Sequence, residues 1–226
     1  MCGRFALADT KELKSRFHTQ NAAPRDVRPN YNAAPTQSLP VIVEVGGRAE
    51  IKVMHWGIVP AWAKDKPRFA FSTFNARAES LLEKPMWKKV FPSRRCLVPA
   101  TGFYEWQKKD NETRPYYIHV GEREIFVMAG LYDEWVDTET GEVFDSFTII
   151  TTRPNSVMRK IHDRMPVILD VDEEATWLDA DVSSPEDLLA MLDPYDEKDT
   201  LAYPVGQKVG NVRNNSPDLI QPLETA

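Results

Sequence analysis

The sequence predicts an α+β fold: one domain over residues 1–226, an antiparallel β-sheet partly closed into a barrel, with helices around it. Two patterns predict it. Short runs of β-branched and aromatic residues recur along the chain between turn residues, while helical patterns are few and scattered among them. No internal repeat, low-complexity tract or linker-like stretch divides the 226 residues, a length that suits one domain with a sizeable core.

Asp9-Thr10-Lys11-Glu12 reads as a helix start with capping-box spacing, and Leu13 and Phe17 share a face behind it. Residues 21–38 are rich in Pro and Asn, include Tyr31-Asn32-Ala33-Ala34-Pro35, and read as an ordered loop. Residues 39–45 and 49–56 flank Gly46-Gly47, a hairpin signal. Asn75-Ala76-Arg77-Ala78-Glu79 opens a short helix through Leu82; Pro85 starts another, with Met86 and Val90 on one face and Lys88 and Lys89 on the other. Residues 94–99 and 102–107 read as paired strands, 116–120 and 124–131 as two more, and 143–152 as a long one. Asn155 can cap a helix carrying Val157 and Ile161, before a strand at 167–169. Ser184-Pro185-Glu186-Asp187 starts a helix with Leu188, Leu189 and Leu192, and the tail, 201–226, is a strand followed by a Pro-rich loop.

Composition narrows the function. No apolar run approaches a membrane span and the start has no basic-then-apolar signal pattern, so no membrane partner is expected. Two cysteines, Cys2 and Cys96, make neither a disulfide framework nor a metal cluster; a reducing compartment is expected, cytoplasmic (nucleoid-associated in a bacterium) or nuclear in a eukaryote. No Gly-rich loop joins a strand to a helix, so no nucleotide cofactor is expected, and no metal. Net charge is −6 but unevenly spread: residues 52–115 carry 13 Lys and Arg against 6 Asp and Glu, residues 116–226 carry 8 against 23. A basic face on an acidic body fits that split, and local field governs an anionic ligand.

The first four residues, Met1-Cys2-Gly3-Arg4, carry the sharpest chemical signal. Removal of Met1 would leave Cys2 with a free α-amine, of pKa about 7.7–8.0, beside a thiol of about 8.5. Such a 1,2-aminothiol takes an aldehyde in two steps: a Schiff base forms, then the sulfur closes a thiazolidine ring. Glu105, in Gly102-Phe103-Tyr104-Glu105-Trp106, has apolar neighbours whose burial would raise its pKa toward a range useful for proton transfer. His162, between Ile161 and Asp163, is the histidine singled out as a proton shuttle; His18, His55 and His119 read as structural. Asn75 and Arg77 lie two apart where a backbone terminus attracts phosphate. Trp56, Trp62, Phe69, Phe71, Phe74 and Trp87 are interleaved with Lys64, Lys66, Arg68, Arg77, Lys88 and Lys89, as in single-strand binders that stack bases over a basic groove. At least half of these aromatics belong in the core; Trp62, between Pro60 and Lys64, is the best stacking candidate, and Cys96 reads as a buried strand cysteine.

Together these segments resemble the SOS-response-associated peptidase (SRAP) family of abasic-site-shielding proteins. The matching runs, in family order to about residue 170, are Met1–Arg4, Tyr31–Pro35, His55-Trp56-Gly57-Ile58-Val59-Pro60, Asn75–Glu79, Arg94-Arg95-Cys96-Leu97-Val98-Pro99-Ala100, Gly102–Trp106, Thr148–Thr152 and Ile161-His162-Asp163-Arg164-Met165-Pro166, with a weaker match in the tail. Thr101, where an acidic residue is expected, and Gly210-Asn211 after Val209 depart from the pattern. The resemblance implies an α+β domain that recognises abasic sites in single-stranded DNA and forms a covalent thiazolidine crosslink through Cys2 in the DNA damage response. It implies catalytic roles for Cys2, Asn75, Glu105 and His162, and DNA contacts by Gly3, Arg4, Trp62, Arg77 and Arg164. Abasic-site lyase and autoproteolytic side activities accompany that reading; protein partners are left open. The alternatives are an N-terminal-nucleophile cysteine hydrolase or peptidase and a noncovalent single-strand-binding module.

Overall fold

The computed structural model describes residues 2–63, 72–110, 112–182 and 184–223. Among them the chain runs β1 (Phe5–Leu7), α1 (Leu13–Phe17), β2 (Asn30–Ala33), β3 (Ser38–Val45), β4 (Arg48–Trp56), β5 (Asn75–Arg77), α2 (Pro85–Val90), β6 (Arg95–Ala100) and β7 (Gly102–Lys109). It continues through β8 (Glu112–Val120), β9 (Phe126–Val136), β10 (Val143–Thr152), β11 (Met165–Pro166), α3 (Val171–Leu178), α4 (Pro185–Ala190) and β12 (Thr200–Pro204), with short 3₁₀ turns between.

Five strands close a ring. β4 pairs with β3, β3 with β6, β6 with β9 and β9 with β10, all antiparallel, and β10 returns to β4 through a short parallel contact at Ser146–His55 and Phe147–Trp56. β5 and β11 extend β10 beyond the ring, β5 in parallel. A second, all-antiparallel sheet runs in the order β12-β8-β7-β1-β2. The core includes Phe5 from this sheet and Trp56, Phe126 and Phe147 from the barrel, all fully buried. Each such ring is worth about 2–3 kcal/mol of burial. β6 is buried along its whole length, because α3 packs on it and Trp177 Nε1 donates to Cys96 O at 3.1 Å. Arg95, charged and buried, donates to the Trp177, Val182 and Phe91 carbonyls and so caps the end of α3.

The α+β class, the barrel and the 39–56 hairpin stand as expected; Gly46 and Gly47 sit at φ 60° and 77°, as a tight hairpin turn demands. Four local expectations are corrected. Asn75–Arg77 is a strand, not a helix start, because it pairs with Ile149–Thr151 of β10, and that partner overrides a helical propensity. Residues 94–99 and 102–107 do not pair: the chain changes sheet at Thr101, so β6 joins the barrel and β7 joins β8 and β1. Helix α1 begins only at Leu13, since Asp9 Oδ1 accepts the Lys11 N–H at 2.8 Å in a tight turn. The capping box instead forms at Asp170 and Glu173, which start α3, a helix absent from the sequence reading.

Candidate active site at the start of the chain

Cys2, Gly3 and Arg4 lead directly into β1, which lies between β2 and β7 with Phe5 opposite Ala33 and Phe103. The ladder continues past the strand: Tyr104 N–H donates to Arg4 O at 2.9 Å. The next residue on β7 is Glu105, so the antiparallel register carries it toward Gly3 and Cys2. Cys2 is fully buried and accepts the Arg4 N–H. Burial, then the charge of Glu105, pushes its thiol far above the ordinary value. Met1 lies outside the described residues.

Glu105 is 3 % exposed. Burial pushes its carboxyl up to about 7, Asp163 adds to the rise and the Trp106 N–H opposes it. Gln107 Nε2 donates to Lys160 O at 2.7 Å and draws the turn before His162 across β7. His162 Nε2 then lies 3.8 Å from Glu105 Oε2, within ion-pair range and beyond a hydrogen bond. Its Nδ1 faces both the Arg164 N–H and Asp163 Oδ1, each at 3.0 Å. A neutral ring cannot accept from one and donate to the other at the same nitrogen. Burial, with Lys108 nearby, outweighs Asp163 and lowers the imidazole pKa, which favours a neutral ring, and the Arg164 N–H bond to Nδ1 selects the tautomer. The proton then sits on Nε2, toward Glu105.

Asn75 starts β5. Its Nδ2 donates to Phe74 O at 2.9 Å and Ile149 O at 3.4 Å; its Oδ1 is buried with no hydrogen-bond partner among the described residues. It touches none of the other three candidates through a hydrogen bond. The link is apolar: Phe5, three residues after Cys2, packs at 5.1 Å on Trp56, which meets Phe74 edge-on at 6.2 Å and donates to Phe74 O.

Arg164 makes a two-pronged bond to Glu79, at 2.6 and 2.9 Å, and donates to Thr151 O at 2.6 Å. Arg77 is exposed at the end of β5. Arg4 is half-buried: Nη1 donates to Asn32 Oδ1 and Val209 O, both at 2.8 Å, and the guanidinium lies over the Trp106 ring. Gly3 is half-buried beside it. Trp62 is 59 % exposed, whereas Trp56 and Trp87 are core. The segment carrying it is pinned to β9, since Ala61 N–H donates to Asp133 Oδ2 at 2.9 Å and Trp135 Nε1 to Ala63 O at 2.7 Å. Lys64, Lys66, Arg68, Phe69 and Phe71 lie outside the described residues. Sequence reasoning assigned nothing to Asn32, Glu79, Asp133 or Trp135; Asn32 and Glu79 sit inside runs it had singled out, which was the available signal.

Comparisons with known proteins place the chain in a family. The family model described as SOS response associated peptidase (SRAP) matches residues 1–212. The chain is 41 % identical over 224 residues to the abasic site processing protein YoqW of Bacillus subtilis, covering 98 % of this chain and 99 % of that one. It is 34 % identical over 221 residues to the abasic site processing protein HMCES of Xenopus tropicalis, covering 84 % of this chain and 65 % of that one. A crystal structure of a protein from Bacteroides thetaiotaomicron superposes with a TM-score of 0.90 at 30 % identity, over 98 % of this chain and 99 % of that one. The chain belongs to the SOS response associated peptidase family.

Proposed function

We propose that this protein processes abasic sites in single-stranded DNA by forming a covalent thiazolidine through Cys2 once Met1 has been removed. The observation that carries the reading is the pairing of Cys2, at the start of the chain, with a buried Glu105 whose pKa is pushed up to about 7. The ring-opened abasic sugar has an aldehyde at C1′. The Cys2 α-amine adds to it, giving a carbinolamine. Glu105, protonated near neutral pH, gives its proton to the departing hydroxyl, which leaves as water, and the imine forms. The sulfur then bonds to the imine carbon; its proton goes to Glu105, and the ring nitrogen is left as a secondary amine.

Burial and Glu105 hold the thiol protonated at rest, which favours amine attack first and supports this reading over a thiolate hydrolase. Asn75 Oδ1 offers an acceptor to the amine or a sugar hydroxyl. His162, with Nε2–H toward Glu105, can pass protons to the site. Arg4, Arg77 and Arg164 take flanking phosphates, Gly3 lets the strand approach the backbone, and exposed Trp62 offers a stacking face. Loss of the β-proton from the imine, before the ring closes, gives a lyase side activity.

The test is a denaturing gel of mass-checked protein, lacking Met1, with an oligonucleotide carrying one abasic site. A heat-stable slow band is expected for wild type and none for Cys2→Ala; a wild-type band from Cys2→Ala would overturn the mechanism. Hydrolysis of glutamine or peptide without DNA would favour the hydrolase reading instead.

A further inference from the structure

The run Tyr31-Asn32-Ala33-Ala34-Pro35 has no part in the chemistry above, yet Asn32 is one of the most thoroughly bonded side chains in the protein. It is 1 % exposed. Its Oδ1 accepts from Arg4 Nη1 at 2.8 Å. Its Nδ2 lies 3.2, 3.0 and 3.0 Å from the carbonyls of Val209, Asn211 and Asn214. Arg4 Nη1 also donates to Val209 O, so one carbonyl of the tail receives from both residues. The tail segment is itself braced, by Asn214 Nδ2 on Lys208 O at 2.8 Å and by Asn215 Oδ1 on the Tyr31 N–H at 2.7 Å.

We propose that Asn32 is a positioning residue for the nucleophile: with the tail carbonyls it fixes Arg4, and through Arg4 it holds the Cys2–Gly3 segment against Glu105. This rests on the thiazolidine reading for its catalytic consequence, though not for its geometry. Three features support it. Arg4 is only two residues from Cys2, and the same residue bonds β7 through its carbonyl and Cys2 through its N–H. A chain end is anchored on one side only, so a side-chain brace there does what a second flanking strand does elsewhere. The amide suits the task, since one atom must accept from a guanidinium while the other donates to carbonyls, which neither Asp nor Leu can do.

The experiment uses the full chain with Met1 removal verified by mass. Asn32→Ala, Arg4→Ala, the double variant and Asn32→Ser are compared in two measurements. The first is crosslinking rate at saturating abasic single-stranded DNA, beside affinity for an oligonucleotide with an unreactive tetrahydrofuran site. The second is alkylation of Cys2 by iodoacetamide, with fully buried Cys96 as internal control in the same digest. Asn32→Ala is expected to slow crosslinking about tenfold or more, since small misplacements of reacting groups cost up to about a hundredfold, with a smaller loss of affinity because Arg4 keeps its charge. Cys2 alkylation should rise several-fold over that of Cys96, and neither effect should add to that of Arg4→Ala. Asn32→Ser, which keeps an oxygen for Arg4, should recover part of both and serves alone should the alanine variant not fold. Equal rises at Cys2 and Cys96, or additive penalties in the double variant, would overturn the proposal. If wild type itself forms no crosslink, the thiazolidine reading fails, and the Cys2-to-Cys96 ratio still decides the positioning.

Discussion

A carboxylate inside a protein is a stability cost unless something charged or hydrogen-bonding offsets it, and Glu105 shows that cost through its pKa. Its folded value of about 7 stands above the value of about 4.3 expected in the unfolded chain. Between those pH values the folded protein keeps a proton that the unfolded chain has released, so stability falls as pH rises through that window and levels off above it. The shift corresponds to about 4 kcal/mol. Glu105→Gln removes the titration while keeping the shape. The variant should match wild type in denaturant melts near pH 4 and exceed it by about 4 kcal/mol near pH 8; the same difference at both pH values would mean that the fold does not hold this carboxyl neutral. Crosslinking should slow in the same variant, a trade of stability for chemistry common at reactive sites. At this scale the sequence was informative. The apolar neighbours Phe103, Tyr104 and Trp106 signalled the burial of Glu105, and the place of Cys2 marked it as the candidate nucleophile. The roles of Asn32 and Glu79 were hidden because their partners, Val209 and Arg164, lie far along the chain.

Elements explain which parts of the fold were legible. Hairpins and isolated strands rich in β-branched residues, such as β3–β4 and β10, are local and were read correctly. Pairings set by distant partners were not. The run Asn75–Arg77 looks helical by propensity and becomes a strand only because β10 offers an edge more than seventy residues away. The switch of sheet at Thr101 has no composition of its own; the residue after it, Gly102, lies under the Tyr117 ring, where a Cβ would come within 2.1 Å of ring carbon. The presentation of Trp62 is likewise an element-scale property. Trp135 on β9 holds Ala63 O and thereby the turn that exposes the neighbouring indole. Trp135→Phe keeps an aromatic ring there and deletes the donor. Fluorescence anisotropy with an undamaged single-stranded oligonucleotide should show affinity falling about three- to tenfold, the worth of one hydrogen bond. In a Trp62→Ala background the same change should cost nothing; an equal loss there would sever the link between the two tryptophans.

Across the whole molecule the uneven charge takes on a more limited meaning than the sequence suggested. Part of the acidic excess after residue 116 serves helix starts: Asp172, Glu173 and Glu174 open α3, Glu186 and Asp187 open α4, where a negative charge meets the positive end of the helix dipole. Part of the basic excess is also structural. Arg95 caps α3 from inside and Arg94 pairs with buried Asp133. Among the described residues the cations proposed to meet the strand are Arg4, Arg77 and Arg164, the last by exchanging Glu79 for phosphate. Salt dependence measures that number. For single-stranded DNA the slope of log affinity against log salt is about −0.7 per phosphate contacted, so three arginines give about −2, and raising salt from 50 to 200 mM should weaken noncovalent binding about twentyfold. If most of the basic middle third tracked the strand, about ten contacts would give a slope near −7 and a loss of about four decades. Titrating an oligonucleotide with the unreactive tetrahydrofuran site into the Cys2→Ala variant, at several salt concentrations, separates the two. A slope near −2 would place recognition in a small arginine set around a reactive chain end, with the covalent bond supplying the persistence that modest electrostatics cannot. A slope near −7 would make the protein a tracking binder first, and the arginines named here only part of a much longer interface.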